Sequence, residues 1–186
     1  MGAYKFRVLL DTEKESEIFR DILINENDDF ESFYHAIIQS FNFTGEEMAS
    51  FYISNDNWDK GHEISLVDLN YGDESIDEKA SIMSQANIKD FIEAEDQKII
   101  LVYDFMRMWI FLIELVEKIE DKIGAPEVAL AIGMAPPEDS RSTGIEDGED
   151  DHLFDDEEFD EDEDELGLDD YEDGYSEEDY SSFDDY

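Results

Sequence analysis

The chain has 186 residues, 55 of them acidic and 12 basic, and a net charge of −43 at pH 7. So acidic a surface repels phosphate backbones and anionic lipid alike, which argues against direct nucleic-acid binding and against a membrane surface. No stretch reaches the roughly 20 apolar residues of a membrane span, and the best run, Met106 to Val116, is broken by Arg107 and Glu114. Cysteine is absent, which removes disulfides and thiolate metal sites, and Met1 to Leu10 lacks the basic-then-apolar order of a signal peptide. A cytoplasmic location is the resulting expectation.

The charge is unevenly spread. Residues 138–186 carry 26 acids and one base, Arg141, or −25, whereas the preceding 137 residues carry 29 acids and 11 bases, or −18. Like charges at the density of the second part cannot bury enough apolar surface to offset ordering entropy. A core is therefore expected in the first part only, followed by a disordered acidic tail.

In chain order, Tyr4, Phe6, Val8 and Leu10 alternate with Lys5, Arg7 and Asp11, the period of a half-buried strand. A second strand follows a five-residue hairpin link, Thr12 to Ser16. It carries Ile18, Arg20, Ile22 and Ile24 on one face and Phe19 and Leu23 on the other, so it reads as apolar on both sides and central. Next, Phe30, Phe33, Tyr34, Ile37, Ile38 and Phe41 recur at the spacing of a single helix face. Asp28, with Glu31 three residues on, resembles a capping-box start, and Asn42 and Gly45 offer a stop.

After this amphipathic helix the chain returns to the sheet at Ser50 to Ile53 and then enters a polar excursion from Asn55 to about Gln85. Asn87 is placed to cap a helical turn over Ile88, Phe91 and Ile92. Two apolar runs, Lys98 to Phe105 and Met108 to Val116, are joined by a turn at Met106 and Arg107. The second run is ambiguous, since Leu112, Val116, Ile119 and Ile123 also fit a helix face. A strand from Glu127 to Ile132 follows Pro126, and Pro136 and Pro137 mark the end of the folded unit.

These residues resemble the Ri-plasmid ORF-three-like family, whose bacterial members are commonly labelled insertion-element passenger proteins of the TnpR type. Ile18, Phe19, Arg20 and Ile22, followed by Phe30, Phe33, Tyr34, His35, Ala36, Ile37 and Phe41, match its strand-and-helix pattern. Tyr103, Asp104, Phe105, Trp109, Ile113 and Leu115 match its hairpin, and Ala135, Pro136, Pro137, Glu138 and Asp139 match its late motif. The resemblance spans residues 4–139. It implies an α+β fold with a mostly antiparallel sheet and one helix against it, favours a strand over Met108 to Val116, and does not imply resolvase activity. The domain reading is thus residues 1–139 for the folded unit and 140–186 for the tail.

Departures from the family pattern are Met106 and Arg107 for the usual glycine and aspartate, Phe111 for the usual histidine, and Ser140, Arg141, Ser142 and Thr143 for the residues after the late motif. A family site built on that aspartate, histidine and a later cysteine would be lost here. Tyr103, Asp104, Phe105, Trp109, Pro136, Pro137, Glu138 and Asp139 are accordingly read as architecture, with the aromatics in the core and Asp104 satisfying turn amides.

Catalytic and metal constellations are scarce. His35, His62 and His152 lie in separate segments with no second histidine at helical spacing, and no phosphate loop, nucleophile elbow or dinucleotide glycine pattern occurs. A calcium loop starting at Asp162 has Asp164 and Gly167 in place but Leu166 and Asp173 at the fifth and twelfth positions, and Asp56, Asn57, Asp59 and Gly61 miss the same template by one place. Weak, nonspecific divalent binding by the tail is the expectation, with no catalytic residue, cofactor or metal site.

The tail interleaves its acids with Phe154, Phe159, Tyr171, Tyr175, Tyr180, Phe183 and Tyr186. Spaced aromatics can anchor while carboxylates steer the segment onto a basic protein surface, including one built for nucleic acid. The expected function is a non-enzymatic interaction module for a basic protein partner. The alternative is a mobile-element-associated enzyme or processing factor using a cleft beside the Tyr103 to Trp109 hairpin.

Overall fold

Tyr4, Phe6, Val8 and Leu10 all turn to one side of strand β1 (Ala3–Leu10) and are buried there. The computed structural model describes residues 2–12, 17–68 and 80–143. β1 is followed by β2 (Phe19–Asn25), helix α1 (Phe30–Ser40), β3 (Ala49–Ser54), β4 (Lys60–Ser65), β5 (Ser81–Ile82), β6 (Lys98–Tyr103), β7 (Trp109–Ile119) and β8 (Glu127–Ile132). Short 3-10 turns lie at Met83–Gln85, Ile88–Phe91 and Glu138–Ser140. The strands form one sheet in the order β5-β4-β3-β6-β7-β1-β2-β8, antiparallel except for the β4–β5 pair, so the fold is α+β with a mixed sheet.

One face of the sheet carries the core. Registers align Phe6 with Ile22 and Leu115, Val8 with Ile113, and Leu101 with Phe51 and Phe111, all buried. Helix α1 lies on this face because its buried stripe meets those rings. Phe33 sits 4.8 Å from Phe6 and 5.7 Å from Phe51, and Phe30 sits 5.0 Å from Phe51. The helix starts at Asp29, one residue later than the expected Asp28, and the Asp29 carboxylate accepts from the Ser32 amide at 2.7 Å. Asp28 instead accepts from the main chain and side chain of Asn25, which fixes the preceding turn. Asn42 ends the helix in the left-handed conformation, φ 60°.

No basic residue lies in the last turn of α1. Arg20 of β2 supplies the charge from the sheet: its buried guanidinium donates to the carbonyl oxygens of Ser40, Phe19 and Ile132 and lies 4.6 Å over the Phe41 ring. One planar fork thereby ties the helix end to β2 and β8.

The opposite face is banded by register. Tyr52, Ile100, Leu112, Leu9, Phe19 and Ile132 form one row across six strands. Beside it run Lys98, Glu114, Arg7 and Asp21, alternating in sign. Asp21 corrects the reading of β2 as apolar on both sides: it is buried and takes a two-pronged pair from Arg7 at 2.8 and 2.9 Å.

Other expectations change as well. The excursion after Asn55 contains β4, which pairs with β3 and adds Ile64 to the core. Asn87 precedes the 3-10 turn Ile88–Phe91 but makes no side-chain cap to it. The second apolar run is a strand reaching Ile119, and the connection before it is Asp104 to Met108 rather than two residues. Pro136 and Pro137 do not end the ordered chain, since Glu138 and Arg141 pack back against the hairpin. Link residues 13–16, excursion residues 69–79 and the tail from 144 onward lie outside the described residues.

Two substitutions test this arrangement by urea unfolding. Phe33→Ala removes the ring between β1 and β3 and is expected to cost about 3–5 kcal/mol. Arg20→Lys keeps the charge but loses the fork to three carbonyls, an expected cost of about 1–3 kcal/mol.

Candidate functional site

The β6–β7 connection is built from residues whose side chains close it internally. Tyr103 and Trp109 face each other across the strand pair and are both buried. Between them the chain enters and leaves the turn through left-handed residues, Asp104 at φ 56° and Met108 at φ 54°, a conformation that costs non-glycine residues energy unless neighbours hold it. The Met108 amide donates to the Asp104 carbonyl at 2.6 Å, and the Asp104 amide donates to the Met48 carbonyl at 2.9 Å.

The Asp104 carboxylate completes the turn. One oxygen accepts from the amides of Met106 and Arg107 at 3.0 and 3.1 Å, and the other accepts from Arg107 Nη1 at 3.0 Å. Burial pushes this carboxyl up, but the Arg107 side chain and the two amides outweigh it and hold its pKa below the ordinary 3.8. Asp104 thus sits as turn architecture. Phe105 does not sit in the core: it is 40% exposed at the tip, with Met106 and Met108 exposed beside it.

The late motif reaches the same end of the sheet. The Glu138 carboxylate accepts from the Thr44 amide at 2.6 Å, the Thr44 hydroxyl at 3.1 Å and the Tyr103 hydroxyl at 2.5 Å, while its carbonyl accepts from Trp109 Nε1 at 3.0 Å. The Tyr103 oxygen in turn accepts from the Gly45 amide at 3.0 Å. Gly45 is left-handed at φ 75°, and a Cβ there would come within 3.3 Å of Ile38. Burial, then the Glu138 carboxylate, raises the Tyr103 hydroxyl, so it stays protonated and donating at neutral pH. Asp139 is exposed beside this network.

Arg141 closes the group. Its guanidinium lies 4.2 Å over the Trp109 ring and donates to the carbonyls of Met108 and Asp11 at 2.5 and 2.6 Å. Between the end of β1, the hairpin and the returning segment lies an open cleft of about 950 Å³, bounded by Asp11, Arg107, Trp109, Pro136, Pro137 and Arg141. Asp104 is not on its wall; guanidinium-bearing and hydroxyl-bearing residues line it together with Asp11.

The structure therefore brings together Tyr103, Asp104, Trp109, Pro136, Pro137 and Glu138 of the expected motif residues. Sequence reasoning missed Thr44, Gly45, Arg107 and Arg141 as their partners. The one usable signal was Arg141, the single base among 26 acids in residues 138–186. Elsewhere, Asp56, Asn57 and Asp59 lie in the connection before β4, where Asn55 accepts from the amides of Asn57 and Asp59 and donates to the Asp59 carboxylate. His62 is held by Ser81 and stacked on Phe91, and His35 is exposed on α1; His152 and the seven tail aromatics lie outside the described residues. Among the described residues no helix is long and apolar enough to cross a membrane.

Fold and site define an α+β module with one helix on a mixed sheet and a braced hairpin end. The family model described as plasmid pRiA4b ORF-3-like protein matches residues 2–180, and the chain belongs to this family. A crystal structure of a protein of unknown function from Methanosarcina mazei Go1, MM3350, matches with a TM-score of 0.62 at 20% identity, covering 76% of this chain and 75% of that one. At that identity the likeness is one of fold. Among curated proteins no match is found.

The lowered Asp104 pKa sets a sign for acid stability. A carboxyl depressed by folding stabilises above its unfolded value, here near 3.8, and loses that contribution as pH falls through its lower folded value. Asp104→Asn, which tolerates the left-handed backbone, is expected to cost about 1–3 kcal/mol at pH 7. Its deficit relative to the parent should shrink on acidification below about pH 4 in parallel urea titrations; a constant deficit would contradict the assignment.

Proposed function

We propose that the protein is a non-enzymatic interaction module whose acidic C-terminal residues engage basic protein surfaces, with nucleic-acid mimicry as a specific form of that engagement. The observation that carries this reading is the charge distribution: residues 138–186 hold 26 acids and one base, interleaved with aromatics from Phe154 to Tyr186. Carboxylates give long-range attraction and a high encounter rate, and aromatics give short-range area, which together suit a basic protein better than a bare polyanion does. Phe154, Phe159, Tyr171, Tyr175, Tyr180, Phe183 and Tyr186 are the anchors in this reading, and a cytoplasmic location accords with the cysteine-free composition.

A second reading is favoured by one observation, the cleft of about 950 Å³ beside Arg107 and Trp109. It makes the protein a mobile-element-associated enzyme or processing factor of unknown reaction. The inward fixing of Asp104 weighs against it, because three hydrogen bonds from turn amides and Arg107 hold that carboxylate and it does not line the cleft.

The test compares the full chain with one ending at Thr143, which keeps Glu138 and Arg141 on the hairpin, for retention on immobilised polylysine and from a native lysate. The full chain should retain basic proteins at 0.1 M salt and release them towards 1 M, as the Debye length falls from about 10 to about 3 Å. Replacing the seven tail aromatics with alanine should spare polylysine binding and lose lysate partners. Equal retention by the chain ending at Thr143 would move the interaction to the folded unit.

A further inference from the structure

Arg107 is only partly used by the turn it belongs to. Its Nη1 donates to Asp104, but its Nε is buried and has no acceptor. A buried donor is ordinarily paired, and this one belongs to a residue on the wall of the cleft beside Trp109. Arg141 lines the same cleft with two of its N–H groups on main-chain oxygens, which fix its position without cancelling its charge. The hydroxyls of Thr12, Ser140 and Ser142 add further donors to the wall, and Pro136 and Pro137 add apolar surface. Asp11 is the one carboxylate among the lining residues, while Glu47 and Asp139 act on Arg107 from beyond the wall.

We propose that this cleft binds a small oxyanion-bearing ligand, its carboxylate or phosphate group held between Arg107 and Arg141 and its body against the prolines. Asp104 already meets the charge of Arg107 and Asp11 shares the wall with Arg141, so the ligand is held by positioned donors, the unpartnered Arg107 Nε–H and the remaining N–H groups of Arg141, rather than by net charge; planar, charge-assisted N–H groups are a strong class of oxyanion contact. The volume is that of a small-molecule site. A compact anion meets only the carboxylates within a Debye length, about 8 Å at physiological ionic strength, whereas a polyanion is repelled by a chain of net charge −43 along more of its length. This inference goes beyond the interaction-module reading and does not rest on it.

The experiment uses the full chain, isotopically labelled for NMR, with inorganic phosphate and acetate titrated separately at fixed ionic strength. The Arg107 Nε–H and Trp109 Nε1–H resonances are followed. A saturable shift of Arg107 Nε–H with either anion is expected; saturation by phosphate alone identifies phosphoryl ligands, and saturation by acetate identifies carboxylates. Arg141→Gln leaves the Asp104–Arg107 turn intact and should weaken that affinity by about tenfold, whereas Arg107→Gln should abolish it. If Arg107→Gln does not fold, Arg141→Gln decides alone. No saturable shift at Arg107 with either anion, or an affinity unchanged in Arg141→Gln, overturns the proposal. Neither result bears on retention of basic proteins, which is read from residues 144–186.

Discussion

One short helix has to cover the apolar face of a wide sheet, and most of the remaining structure follows from that mismatch. Eight strands at about 4.8 Å spacing span about 34 Å, whereas the 11 residues of α1 make a rod about 16 Å long and about 10 Å thick. The helix shields the middle of the sheet through Phe30, Phe33 and Tyr34, and irregular chain covers the rest. Met83, Ala86, Ile88 and Phe91 extend the cover from one side, and Phe43 with the returning late segment closes the Trp109 end. Irregular cover brings backbone polar groups onto an apolar face, where each must find a partner. Hydrogen bonds from Phe30 to Ala86, Ile88 to Asp28 and Lys89 to Glu26 meet that demand at one end, and Glu138 meets it for Thr44 at the other.

The parts legible in the sequence were those in which a single strand or helix carries its own signal. The alternation in β1, the stripe of α1 and the bounds of β8 between Pro126 and Gly133 needed no knowledge of a partner. β4 was not legible because it lies near the sheet's edge with Lys60, Gly61 and His62 exposed, and its core contribution is Ile64 alone. Asp28 and Asp29 are both acceptable caps by composition, and only the path of the preceding turn, fixed through Asn25, assigns them different roles. The late motif was recognisable as a motif, but the role of Glu138 depends on Thr44, 94 residues away, and on Tyr103, 35 residues away.

The family departures have a coherent physical outcome. Phe111, where the family tends to have histidine, is fully buried and meets Phe41 and Phe43 at 5.0 and 6.0 Å, so that position belongs to the core. Arg107, where the family tends to have aspartate, turns a pair of neighbouring acids into an ion pair and lets Asp104 lower its pKa despite burial. A glycine would relieve neither left-handed position, since those are Asp104 and Met108, and Met106 lies between them at the exposed tip.

In so acidic a chain, arginines could be expected to scatter over surface carboxylates, where each pair contributes little. Four of them are instead fixed by specific geometry: Arg7 by a two-pronged pair with buried Asp21, Arg20 and Arg141 by main-chain carbonyls, and Arg107 by Asp104. Carbonyl partners restrain a guanidinium without neutralising it, so Arg20 and Arg141 keep their charge where the fold puts it. For Arg20 that place is the helix end, whose partial negative charge it meets. For Arg141 it is the rim of the cleft, beside an Arg107 whose Nε is still free. The same fastenings that brace the hairpin end therefore hold two guanidiniums immobile before any ligand arrives, one of them already paired with Asp104, and an oxyanion entering there would meet donors whose ordering cost folding has already met.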